Sequence, residues 1–138
     1  MYDAIAVGTD GSENAQEAVE RAVNLAREHD AELHVITVVN TARYGEPALS
    51  SHELVLNELE DRANRQLDAI SEYGTEAGVR VVTRCFHGDP SEEIVEYARE
   101  NDVDLIVLGA RGRTHPRSTI GSTASRVLQD IDHEVLVV

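Results

Sequence analysis

The chain has 138 residues, of which 26 are acidic and 12 basic, giving a formal net charge of −14. That length suits one domain over residues 1–138 with a single core, and the charge repels nucleic acid at long range. All twelve basic residues are arginine, so a Walker-type phosphate loop, a Schiff-base enzyme and a response-regulator receiver, each of which needs a lysine, are excluded.

The chain opens Met-Tyr-Asp-Ala-Ile, with no basic leader, and runs directly into a strand pattern. Its apolar runs are too short to cross a bilayer, and the lone cysteine, Cys85, has no partner for an intrachain bridge. These features point to a cytoplasmic protein that does not engage membranes, with Cys85 as a small buried hydrophobe. Many carboxylates without lysine also fit a halophilic surface, one that stays hydrated in molar salt.

Residues 4–8, Ala-Ile-Ala-Val-Gly, are a short apolar run expected to be a strand buried on both faces. Thr9-Asp10-Gly11-Ser12 interrupts it, and Ser12 is placed to cap a helix over about 13–29, whose apolar residues recur at helical spacing. A second strand, rich in β-branched residues, spans Leu33 to Val39, followed by a loop from Asn40 to Leu49. Ser50 and Glu53 have capping-box spacing, and Leu56, Leu59, Ala63, Leu67 and Ile70 form the apolar stripe of a long helix that Gly74 and Gly78 are expected to end. A third strand is expected from Val79 to Phe86, and Asp89-Pro90-Ser91-Glu92 opens a helix reaching about Asn101. Leu105 to Leu108 form a fourth strand. A glycine-rich loop then leads to a helix beginning near Ser122, and Glu134 to Val138 close the chain as a fifth strand.

Five strands alternating with four helices specify an α/β three-layer sandwich with a mainly parallel sheet, in the order 3-2-1-4-5. Winding reverses between strands 1 and 4, so a ligand crevice is expected at their carboxyl ends. One wall would be Thr9 and Asp10, and the other the loop holding Gly109, Arg111, Gly112, Arg113 and Gly121. Asp10 is either a helix-start carboxylate or an acceptor for a ligand N–H. Glycines admit backbone amides close to an anion, the interleaved arginines supply positive charge, and Ser122 and Thr123 stand where a helix N-terminus favours phosphate. Arg117 and Arg126 either add to that charge or balance nearby acids. The six histidines are scattered without metal-ligand spacing, His115 alone lying in the glycine loop, and no nucleophilic triad is placed in sequence, so no catalytic residue is assigned.

The opening Ile-Ala-Val-Gly-Thr-Asp-Gly-Ser, the Leu-His-Val-Ile of the second strand, His-Gly-Asp-Pro-Ser-Glu-Glu-Ile, Asp-Leu-Ile-Val-Leu-Gly and the final Val-Leu-Val-Val together resemble the single-domain universal stress proteins along the whole chain. The fold implied is that of the adenine-nucleotide α-hydrolase-like group. ATP-binding members carry Gly-x2-Gly-x9-Gly-Ser/Thr; here Gly109-x2-Gly112 is followed by eight residues before Gly121-Ser122, so the loop is one residue shorter. The resemblance implies that Asp10 and Val35 contact adenine, that Thr9 and Gly109 lie at the adenosine, and that Gly112, Gly121, Ser122 and Thr123 hold phosphates. It also implies ATP or a related adenine nucleotide, a divalent cation such as Mg2+ or Mn2+, and a homodimer through the last strand. Gly8 replaces the family's usual proline. Three functions are in contention: a nucleotide-binding stress-response regulator with at most slow hydrolysis, a nucleotide-free dimeric interaction module, and an adenylating enzyme, which the lack of lysine disfavours.

Overall fold

A computed structural model describes residues 2–40, 49–110 and 122–138. The elements are β1 (Ala4–Gly8), α1 (Glu13–His29), β2 (Glu32–Val39), α2 (Leu49–Glu76), β3 (Val81–His87), α3 (Pro90–Glu100), β4 (Leu105–Leu108), α4 (Ser122–Asp130) and β5 (Glu134–Val137). The strands form one sheet in the order β3-β2-β1-β4-β5, and all four pairings are parallel. The loop expected at 40–49 lies outside the described residues from 41 to 48, as do the side chains of Ser50 and Glu53; Ser50 falls inside α2 rather than before it.

Strand alternation divides the core in two. Ile5, Val7, Leu33, Val35, Leu105 and Val107 face one side of the sheet, where they pack with Ala18, Val19, Ala22 and Val23 of α1 and Leu67 of α2. Ala6, Ile36, Ile106 and Leu108 face the other side and meet Ile94, Val95 and Ala98 of α3 and Ala124 and Val127 of α4. Both faces are therefore covered, as a parallel sheet requires, and the continuous apolar runs of β1 and β4 follow from that. The helix starts are those read from the sequence: the Ser12 hydroxyl accepts from the Ala15 amide at 3.1 Å, and Asp89 Oδ1 accepts from the amides of Ser91 and Glu92 at 3.0 and 3.2 Å.

One boundary differs. Gly74 does not end α2, which continues to Glu76 and stops before Gly78, a residue in the left-handed region at φ +84. Gly74 lies where α2 packs against Val81 of β3, and a Cβ built there would come within 2.6 Å of Val81 Cγ2. Its glycine serves close packing, not termination. The third strand begins correspondingly later, at Val81, while Val79 is buried in the core.

The α3 face also holds a polar pair. His34 Nδ1 lies 2.6 Å from the Tyr97 hydroxyl and Nε2 lies 2.8 Å from Glu32 Oε1. The Glu32 carboxylate only accepts, which puts a proton on Nε2 and leaves Nδ1 to accept from Tyr97. Burial pushes the Tyr97 hydroxyl above its ordinary pKa, keeping it a donor, with Phe86 tilted against its ring. At the sheet's β3 edge, the Arg84 guanidinium donates to the Thr83 carbonyl at 2.8 Å.

Replacing glycine by alanine on an open helix stabilises by about 1 kcal/mol. At Gly74 the opposite sign is expected: Gly74→Ala should destabilise by about 1–2 kcal/mol net, because the added methyl collides with Val81. Urea unfolding of the two proteins at one salt concentration measures it.

Candidate functional site at the ends of β1 and β4

β1 stops before its neighbour does. Gly8 is its last residue in register with β2, opposite Ile36, and the Thr9 amide then donates to the Ile36 carbonyl at 2.9 Å. The Thr37 hydroxyl donates to the Thr9 carbonyl at 2.9 Å, which fastens the exit from β1 to β2 from a second side. Beyond this point a compact turn carries the chain into α1. Thr9 Oγ1 accepts from the Gly11 amide at 3.2 Å, and Asp10 Oδ1 accepts from the Ser12 amide at 2.9 Å. Thr9 is buried, whereas Asp10 is exposed. The helix-start reading of Asp10 is thus realised in part, since one carboxylate oxygen closes an Asx-type turn.

The exit from β4 is fixed by a residue the sequence reading did not select, Asn14. It is 8% exposed, and its side-chain amide donates to the Val138 carbonyl at 3.1 Å. The Ala110 amide donates to that same carbonyl at 2.8 Å, and the Val138 amide donates to Leu108 at 2.8 Å. A Cβ at Gly109 would come within 2.8 Å of Asn14 Oδ1 and 3.2 Å of its backbone oxygen. Gly109 therefore packs tightly on the first turn of α1, which gives a glycine at that position a structural reason. A buried asparagine in the first turn of an otherwise alanine-lined helix face was the available signal, although its partners lie 95 and 124 residues further along the chain.

Of the residues expected at the crevice, Thr9, Asp10 and Gly109 stand at the carboxyl ends of β1 and β4. Thr123 is half-buried in the first turn of α4, and Ser122 is that helix's first residue, its side chain outside the described ones. Arg111, Gly112, Arg113 and Gly121, with His115 and Arg117, also lie outside the described residues. Val35, which the resemblance implies at the adenine, is fully buried in the α1-side core, between Val7 and Thr83, one register below the end of β1. Three residues further on, Val38 stands where β2 outruns β1. Backbone polar groups alternate sides along a strand, so the amide and carbonyl of Val38 lie on the edge that Ile36 presents to Thr9. The next turn of chain leaves Asn40 Oδ1 buried without a hydrogen-bond partner among the described residues.

Arg126 does not reach towards the crevice as a spare cation: its guanidinium lies 3.2 Å from Asp89 Oδ2. Asp89 is held below its ordinary carboxylate pKa chiefly by the Ser91 hydroxyl at 2.6 Å; burial opposes this, and the Glu92 and Ser91 amides and Arg126 together add to the lowering. A separate open groove of about 670 Å³ between α3 and α4 is lined by Glu92, Val95, Glu96, Arg99, Glu100 and Asp130, a charge balance that disfavours anions. No helix among the described residues is long and apolar enough to cross a membrane.

The sequence profile of the universal stress protein family matches residues 1–138. The chain belongs to that family. A universal stress protein of Methanocaldococcus jannaschii is 39% identical over 140 aligned positions, covering 100% of this chain and 82% of the relative. Among solved structures, the universal stress protein UspA from Lactobacillus plantarum superposes with a TM-score of 0.92 at 32% identity, covering 99% of this chain and 97% of that one. A universal stress protein solved in complex with cAMP gives a TM-score of 0.77 at 26% identity, over 99% and 97% of the two chains.

In this universal stress protein, the glycine at position 8 also has a packing reason. A Cβ there would stand 3.0 Å from both Ile94 Cδ1 and Leu108 Cδ2, so the site has little room for the bulkier residue that the family pattern implies.

Two outcomes test the site's construction. Gly109→Ala should destabilise by about 1–3 kcal/mol through its collision with Asn14, and the loss should be smaller when Asn14 is already alanine, a non-additivity readable in a double-mutant cycle. For Asp89, a folded-state pKa below the unfolded 3.8 means that its contribution is present above that value and is lost as pH falls through the folded one. Asp89→Asn should therefore flatten the pH dependence of stability below 3.8, as acid titrations of unfolding would record.

Proposed function

We propose that this universal stress protein binds an adenine nucleotide, ATP or a relative of it, in the crevice where β1 and β4 diverge, and acts as a stress-response regulator with at most slow hydrolysis. The observation that carries the reading is the reversal of winding between β1 and β4, which sets the Thr9-Asp10 turn beside the Gly109 exit at the carboxyl ends of the strands. The cAMP complex of a universal stress protein alike in fold supports it.

In this reading Asp10 accepts from the adenine amino group, and β2, which the resemblance implies at the base through Val35, completes its recognition with the backbone edge at Val38. Thr9 and Gly109 border the adenosine. Phosphates go to Gly112, Gly121, Ser122 and Thr123 at the start of α4, with Arg111 and Arg113 supplying charge. Among the described residues no three histidine, cysteine, aspartate or glutamate side chains converge. A Mg2+ or Mn2+ ion would accordingly be held by the nucleotide's phosphates more than by protein groups, as such ions are in many nucleotide sites. The outer edge of β5, an end strand of the sheet, would pair with a second copy to form a homodimer.

Calorimetry with AMP, cAMP and ATP plus Mg2+, run in low and in molar KCl, tests the reading. Binding of at least one nucleotide is expected, weakened about tenfold or more by Gly112→Arg, which puts a side chain where phosphates approach the backbone. Absence of heat with every nucleotide in both salts would leave the ligand-free interaction module as the better account.

A further inference from the structure

The Asp10 turn is held from two sides, and only the inner one belongs to the turn itself. Inside, Thr9 Oγ1 accepts from the Gly11 amide and Asp10 Oδ1 accepts from the Ser12 amide. Gly11, between these two bonds, has φ +80, a left-handed conformation that glycine adopts easily and also leaves easily. Outside, the turn meets α2. A Cβ on Gly11 would lie 2.5 Å from Gln66 Nε2 and 3.1 Å from both Cδ and Oε1, so the whole carboxamide of Gln66 rests against the glycine's Cα. Gln66 is itself well anchored, because its neighbour Leu67 is 2% exposed and Ala63, one turn earlier, is 7% exposed, both buried under the helix.

From this contact we infer that Gln66 is a positioning residue for nucleotide recognition, clamping the Gly11 Cα so that the Asp10 carboxylate keeps one orientation at the crevice. A glycine with two open routes out of its turn is restricted when a rigid helix closes the outer one. The conformational freedom removed before binding then need not be removed by the ligand. The clamp also makes α2 a third wall of the site, although no residue of α2 stands out in the sequence as a ligand contact. Its amide serves by shape and not by charge, so a glutamate of equal length retains the contact.

The inference rests on the nucleotide reading above, and the experiment separates the two. AMP and GMP are titrated calorimetrically into the unsubstituted protein, Gln66→Ala and Gln66→Glu, with thermal melts and amide NMR spectra of each. Gln66→Ala should weaken AMP binding about fivefold or more and shrink the preference for AMP over GMP, with an unchanged melting temperature and with shifted or broadened Gly11 and Ser12 amides. Gln66→Glu should restore all of these. An unchanged AMP affinity in Gln66→Ala overturns the clamp, as does an affinity loss that merely follows a fall in melting temperature. If the unsubstituted protein binds neither nucleotide, the nucleotide reading fails, while the clamp is still judged by the Gly11 and Ser12 amides, whose invariance in Gln66→Ala would overturn it.

Discussion

Everything in this molecule hangs from β1, a five-residue strand bonded on both edges and covered on both faces. Ile5 and Val7 enter one half of the core and Ala6 the other, so three consecutive side chains link both helical layers to the sheet. The same strand pairs with β2 on one edge and β4 on the other, and the chain runs outward from it in both directions. A strand with no solvated face favours apolar side chains, and β1 carries no polar one. The first polar groups able to do chemistry therefore appear where the strand ends, at Thr9 and Asp10.

That ending is closed by hydrogen bonds that recruit distant parts of the chain. Thr9 is tied to β2 through Ile36 and Thr37, while Asn14 joins the start of α1 to Gly109 and Val138. Backbone carbonyls leaving a parallel sheet would be buried without partners unless side chains supplied them, and threonine and asparagine do so here. The exits of β1 and β4 are thus shaped by satisfying backbone polarity at strand ends.

Charge is distributed with the same economy. The chain is strongly acidic, and several arginines are engaged locally: Arg80 and Arg99 donate to the carbonyls of Asp30 and Asp130, Arg84 to that of Thr83, and Arg126 to Asp89. Each holds a helix end or a strand edge. Arg126, for which the sequence left two readings open, belongs with these structural arginines. In the proposed site, Arg111 and Arg113 are the residues assigned to attract an anion to a strongly acidic chain.

The sequence by itself determined the order of elements, the caps Ser12 and Asp89, the apolar strands and, through its motifs, the family, because periodicity, capping and local turns act over a few residues. Tertiary structure alone decided what depends on close approach between remote segments. Gly74 had the look of a helix terminator and proved to be a packing glycine against Val81; at Gly109 a Cβ would meet Asn14, a contact that no local pattern reveals. His34 gave no sign in the sequence of its bond to Tyr97, 63 residues away. Val35 and Val38 are indistinguishable in a run of β-branched residues, and only the point at which β1 stops, set by the pairing of Gly8 with Ile36, pairs the first within the sheet and leaves the second beyond the end of β1. Register and contact distance are properties of pairs of segments, and no single stretch of sequence contains them.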